Sequence, residues 1–279
     1  MPAILKEGMP SYSGDQLHAA QSDGDLLIQA CSNDAQVCVH AIRNLTRIAF
    51  GTATLRWSQV GYGRTSSTSV DQETPRNLFG FKDGTNNIKS EDGDAKLNEH
   101  LWVQKGDDSG ADWMAGGTYF VVRKIHMFAE MWDNLRLIEQ EQTFGRDKRY
   151  GAPLNVTAPT SGKDEFKPID FKAKNKEGEL EVPADSHIAI VNPEQNKGRW
   201  MLRRGYNYTE GSDALGRLSA GLFFIAFVRD PRTNFYPILD KMTQKDALSE
   251  YLQHQARALF AIPAGIGQSD TMVGQALFS

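Results

Sequence analysis

A chain of 279 residues, 40% hydrophobic and 24% charged, has the make-up of an ordinary globular protein and the length for two domains of roughly 100–150 residues each. Its formal net charge of −4 withholds the basic face that general nucleic-acid binding requires. No apolar run approaches the roughly 20 residues of a membrane-spanning helix.

The first residues, MPAILKEGMP, have neither the basic start nor the apolar core of a secretory signal, so by its residues the chain is cytoplasmic or has lost a targeting segment. DLLIQA at 25–30 is apolar and ends in the turn-like SND. Val37, Val39, Ile42, Leu45 and Ile48 then recur at three- and four-residue spacings, which predicts an amphipathic helix over 35–49 with Asp34 as its N-cap. ATLRWSQVG at 53–61 alternates and predicts a strand. Cys31 and Cys38 form no CxxC pair and read as buried thiols. Residues 85–115 are rich in Asn, Asp, Gly and Ser and predict a long loop.

TYFVVRKIHM at 118–127 predicts a strong strand, and Phe128, Met131, Trp132, Leu135 and Ile138 predict a helix over 128–140. A second polar stretch covers 155–180. Two more strands are predicted at 187–191 and 221–228, with a basic, strand-like segment at 200–208 between them and a long helix from Thr243 to about Leu259. The order β–α–β followed by β–α–β–β–α describes an α+β protein of two units, each an antiparallel sheet with helices on one face.

Two segments can carry chemistry. In TPRNLFGFKDGTNN (74–87), Gly80 and Gly84 flank Phe81, Lys82 and Asp83. Glycines on both sides allow a tight turn and a close approach by a flat ligand, and the apolar LFGF would set the Asp83 carboxylate at the edge of an apolar pocket. An Asp-Gly turn without chemistry fits the same residues. In VPADSHIAIVNPEQNKGRWMLRRGYNY (182–208), His187 follows a Pro-Ala-Asp-Ser turn, and Arg203 and Arg204 stand side by side on a strand. Adjacent strand residues point to opposite faces, so one arginine turns inward and needs an anionic partner, for which a propionate, a peroxide or a carboxylate such as Asp83 would serve. HExxH, GxSxG, GxxxxGK[ST] and GxGxxG are all missing, which leaves zinc, hydrolase and nucleotide sites without a motif.

GFKDGTNN, PADSHIAIVNP and LRRGYNY, in that order, resemble the dye-decolourising peroxidase family, and RWSQVGYGRTSS and EQEQTFGRDKRYGAPL resemble its exported branch, which includes deferrochelatase/peroxidases. The resemblance covers nearly the whole chain. It implies two ferredoxin-like domains, residues 1–115 (with the GxxDG loop) and 116–279, the second binding one haem b per chain. It also implies His187 as the iron ligand, Asp83 as the distal acid and Arg203 as its distal partner, with Arg204 the alternative after a one-residue slip. Gly80, Phe81 and Gly84 would shape the cofactor pocket. The implied substrates are hydrogen peroxide and a small-molecule reductant, and the implied alternatives are iron release from intact porphyrin or haem binding without turnover. Members of the family often form homo-oligomers, and this branch is commonly exported by the twin-arginine route. Against the family pattern, the signal segment and first strand are missing, so the first domain is expected to be incomplete and to lack an edge strand.

Overall fold

The computed structural model describes residues 1–63 and 66–278; Arg64 and Thr65 of the quoted RWSQVGYGRTSS lie outside the described residues. Its elements run α1 (Ala3–Glu7), α2 (Ala35–Ile48), α3 (Gly93–His100), β1 (Thr118–Met127), α4 (Ala129–Asp133), α5 (Leu137–Phe144), α6 (His187–Val191), β2 (Leu202–Arg203), β3 (Tyr206–Ser212), β4 (Leu218–Val228), α7 (Pro231–Asn234), α8 (Tyr236–Lys245) and β5 (Leu252–Ile262).

The strands form one antiparallel sheet in the order β2-β4-β1-β5, with β3 also paired to β4. With β2 and β3 taken together this is a split β–α–β pair, the ferredoxin-like topology. β1 is central because nine of its ten positions are buried, and it brings Tyr119, Val121 and their neighbours between two apolar layers. The outer edge of β5 is covered by the N-terminal segment: the amides of Gln16, His18 and Asp23 donate to the carbonyls of His254, Gln255 and Arg257 at 2.9, 2.7 and 2.8 Å.

Two cations sit side by side in the middle of β1. Arg123 and Lys124 are 0% and 1% exposed and point to opposite faces. Arg123 pairs with Asp15 and donates through Nε to Nδ1 of His254 at 3.1 Å, while Lys124 Nζ reaches Glu210 Oε1 at 2.7 Å and Gln21 Oε1 at 3.1 Å. Each buried charge is therefore satisfied: Arg123 ties the N-terminal segment to the sheet, and Lys124 ties both that segment and β3 to β1.

The α2 helix and its cap are as the spacing implies, with Asp34 accepting from the Gln36 amide at 2.8 Å. Other elements differ. Residues 25–30 and 53–61 form no strand, so the N-terminal part contributes helix and irregular chain to an α+β fold whose sheet lies C-terminal to it. Cys31 is exposed rather than buried. The helix expected over 128–140 is broken into α4 and α5, because Glu139 accepts from the Arg136 amide at 2.9 Å and starts a fresh N-terminus. The loop expected at 85–115 contains α3. Residues 187–191 are helical, not a strand: a five-residue apolar run has no period long enough to separate the two. The long helix expected from Thr243 to about Leu259 does not form: α8 begins at Tyr236 and stops at Lys245, where extended Asp246 caps a short turn and β5 follows. In β5 every second residue from His254 to Phe260 is buried, a two-residue period hidden in a stretch rich in helix formers.

His254 gives the fold a pH dependence. Burial, aided by the Arg123 guanidinium, holds its pKa down at about 3, so the folded ring stays neutral. An unfolded histidine titrates near 6.5, so its contribution to stability is complete above about pH 6.5 and is lost as pH falls towards 3, by roughly 1 kcal/mol per unit. His254→Gln keeps an acceptor for Arg123 and removes the titration. Urea unfolding at about pH 7 and about pH 4 is expected to show a smaller acid loss in the variant, and equal losses would contradict this role.

Candidate active site

The GFKDG loop is built from the inside out. Asn77 Oδ1 accepts from the amides of Phe79 and Phe81 at 3.1 and 3.3 Å, and the Asp83 amide donates to Pro75 O at 2.8 Å. Phe79 stacks on Trp132 with centroids 4.4 Å apart, and Phe81 stacks on Phe144 at 4.1 Å. Both phenylalanines are fully buried, each burial contributing about 1.5–3 kcal/mol, so the loop is anchored by its apolar residues while Asp83 stays partly open to solvent. Gly84 has φ +110°, and a Cβ there would come within 2.6 Å of the Ser66 side chain. Only glycine permits that approach.

Sheet register decides between the arginines. Arg203 pairs with Ala226, so it shares a face with Leu222 and Phe224, which line a cleft together with Asp83, Arg76 and Asn77. Its guanidinium donates to Asp83 Oδ1 at 2.8 Å and to the Asn86 carbonyl at 3.3 Å. Asn87 brackets its backbone, accepting from the Arg203 amide at 2.8 Å and donating to its carbonyl at 3.1 Å. Arg204 lies on the opposite face beside Tyr206, away from the cleft.

His187 opens α6. Its Nδ1 lies 2.7 Å from Oδ2 of Asp246, whose side chain is fully buried and whose Oδ1 accepts from the Leu248 amide at 2.9 Å. A buried carboxylate on Nδ1 fixes the ring orientation and leaves Nε2 as a ligand or base. The ring is partly exposed and sits 6.0 Å from the ring of Phe144, the same residue on which Phe81 stacks. Lys241 Nζ donates to the Ile190 carbonyl at 3.2 Å and holds the far end of α6. Gly145, left-handed at φ +79°, lets α6 pack closely; a Cβ there would lie 2.6 Å from Ile188 and 2.7 Å from Ser186.

Residue types alone do not point to Asp246 or Asn87. Asp246 carries an N-cap signal, but nothing in the sequence ties it to a histidine 59 positions away. Asn87 reads as one of several loop amides.

Family models described as Dyp-type peroxidase, N-terminal and C-terminal, match residues 1–63 and 74–267. A dye-decolorizing peroxidase of Thermobifida fusca is 36% identical over 258 residues, 92% of this chain and 58% of that protein. A deferrochelatase of Escherichia coli K12 is 34% identical over 280 residues, 99% of this chain and 63% of that protein. Among solved structures, the oxyferrous/water mixed complex of DtpA from Streptomyces lividans superposes with TM-score 0.89 at 38% identity, covering 100% of this chain and 73% of that one. The DyP-type peroxidase of Streptomyces coelicolor gives 0.87 at 38%, covering 97% and 70%. The chain belongs to the Dyp-type peroxidase family. It spans about three fifths of the length of the curated relatives it matches.

Gly145→Ala puts a methyl group into the start of α6 and strains a left-handed residue. Urea unfolding is expected to show a loss of about 1–3 kcal/mol with an unchanged m-value. A loss below about 0.5 kcal/mol would mean that α6 does not depend on this approach.

Proposed function

We propose that the chain binds one haem b between His187 and the Asp83–Arg203 pair and uses it to reduce hydrogen peroxide at the expense of a small-molecule reductant. The observation that carries this reading is the pairing of a histidine whose Nδ1 is held by a buried carboxylate with a cleft-facing Asp–Arg ion pair, joined through Phe144 and Phe81.

The residues fit the group. His187 offers Nε2 to iron, and Asp246 raises the basicity of the ring by accepting from Nδ1. Leu222 and Phe224 supply apolar lining, and Gly80, Phe81 and Gly84 shape the loop that presents Asp83: Gly84 admits Ser66, Gly80 admits Lys148, and Phe81 packs on Phe144. Haem supplies the iron that takes up the oxidising equivalents of peroxide.

The protein's part is proton transfer and charge stabilisation. Asp83 shares Oδ1 with Arg203 and keeps Oδ2 to take a proton from the near oxygen of peroxide and return it to the far one, which departs as water. Arg203 stabilises charge that develops as the O–O bond breaks, and its contact with Asn86 O keeps it from swinging away. Arg204, on the other face, takes no part in this reading. The division of the chain at 115/116, a homo-oligomeric state and a location outside the cytoplasm belong to the same reading and rest on family resemblance.

Haemin titration is expected to give a saturable Soret band that His187→Ala weakens strongly. Asp83→Asn is expected to retain the band and slow the reaction with peroxide by about 100- to 10,000-fold. No saturable band with the intact chain would overturn the proposal.

The deferrochelatase relatives, similar over 99% of this chain, support a second reading in which iron leaves an intact porphyrin. Anaerobic incubation with haem followed by porphyrin fluorescence tests it, and no fluorescence removes it.

A further inference from the structure

Asp83 is flanked in the chain by two side chains that turn away from the cleft and meet on one carboxylate. Lys82 Nζ donates to Glu165 Oε1 at 2.7 Å, and Thr85 Oγ1 donates to Glu165 Oε2 at 2.6 Å. The ion pair is almost fully buried, 5% and 3% exposed at its two side chains. Behind it, the buried Arg146 guanidinium donates to the Glu165 carbonyl at 2.9 Å and to the Gly151 carbonyl at 2.6 Å, so the segment that carries Glu165 is itself pinned. Lys82 packs its stem against Gly151, where a Cβ would lie 2.9 Å from Lys82 Cδ.

We infer that Glu165 is a positioning residue for the distal pair: it fastens the chain on both sides of Asp83 and keeps the Lys82 ammonium away from that carboxylate. The inference rests on the proposed peroxidase reading. Only Asp83 and Gly84 lie between Lys82 and Thr85, and a two-point attachment over so short a span fixes the direction of the Asp83 side chain. A free lysine next to Asp83 would also compete with Arg203 for the same oxygens, since a compact ammonium and a guanidinium bind a carboxylate with comparable charge but different geometry. Glu165 removes that competitor by satisfying it elsewhere. Breaking a buried pair from one side leaves the other charge uncompensated, so Lys82 would be driven out of its site and towards the nearest anion. Asp83 adjoins it in the chain.

Glu165→Gln keeps the size and can still accept from Thr85, while it gives up the charge that holds Lys82. Haemin affinity, which His187 governs, is expected to stay within about twofold. Fluoride affinity of the haemin-loaded protein reads hydrogen-bond donation into the distal cleft and is expected to fall about tenfold, as is the peroxide rate constant. Lys82→Met in the same background removes the freed ammonium and is expected to restore fluoride affinity to within about threefold of the parent. In a double-mutant cycle, Glu165→Gln is expected to add little to Asp83→Asn, because both act through one group. Circular dichroism and the unfolding midpoint of the haemin-free variants show whether the chain has folded, and if Glu165→Gln has not, Thr85→Val serves as the substitute, since it removes one of the two attachments to Glu165 and is also expected to lower fluoride affinity. Unchanged fluoride affinity in a folded variant, or full additivity with Asp83→Asn, would overturn the inference. If Asp83→Asn itself leaves the peroxide rate unaltered, the peroxidase reading fails instead.

Discussion

Phe81 lies flat on Phe144 with centroids 4.1 Å apart, and the geometry of the site depends on that contact. Phe81 belongs to the loop that presents Asp83, and Phe144 ends the helix whose C-cap, Gly145, supports the helix of His187. Trp132 closes against both rings and against Phe79, so the cluster is a buried aromatic block rather than a single pair. Aromatic pairs of this kind contribute about 0.5–1.5 kcal/mol beyond the area they bury. That energy is spent on holding two chain segments far apart in sequence at a fixed distance. Polar groups facing a ligand need such a scaffold, because a displacement of about 1 Å can cost on the order of a hundredfold in rate.

Around this block, charge is sorted with little left unpaired. Glu165 absorbs Lys82, Asp246 engages His187, and Asp83 is left to Arg203. Within the sheet, Arg123 and Lys124 are satisfied by Asp15 and Glu210. The pairs differ in burial and therefore in kind. The Lys82–Glu165 pair is shielded from water on both sides and the Asp246 carboxylate is buried, whereas His187, Asp83 and Arg203 are each about a quarter exposed and can be reached by a ligand. Accessible groups held by buried carboxylates are the arrangement that the proposed proton transfer needs.

Much of the site was legible because it is local. Two glycines around Phe-Lys-Asp announce a constrained loop, and alternation along a strand says that of two adjacent arginines only one can face the cleft. Family resemblance points to Arg203, but alternation alone leaves Arg204 equally placed, and the physical reason lies in the pairing of Arg203 with Ala226, a register that the sequence does not carry. Asp246 and Asn87 were illegible for a related reason: their partners are distant in the chain, and their own residue types are common in turns. The fold shows the same divide. The long period of α2 and the apolar run of β1 read correctly, whereas five residues after Ser186 and the mixed pattern of β5 took their form from packing and not from propensity.

The central claim is that His187 and the Asp83–Arg203 pair address opposite faces of one bound haem. The most direct measurement is a crystal structure of the chain with haemin bound. The account predicts iron bonded to Nε2 of His187, Asp246 still on Nδ1, and Asp83 with Arg203 over the other face of the porphyrin. Haemin seated elsewhere, or bound with His187 and Asp83 on the same side, would contradict it.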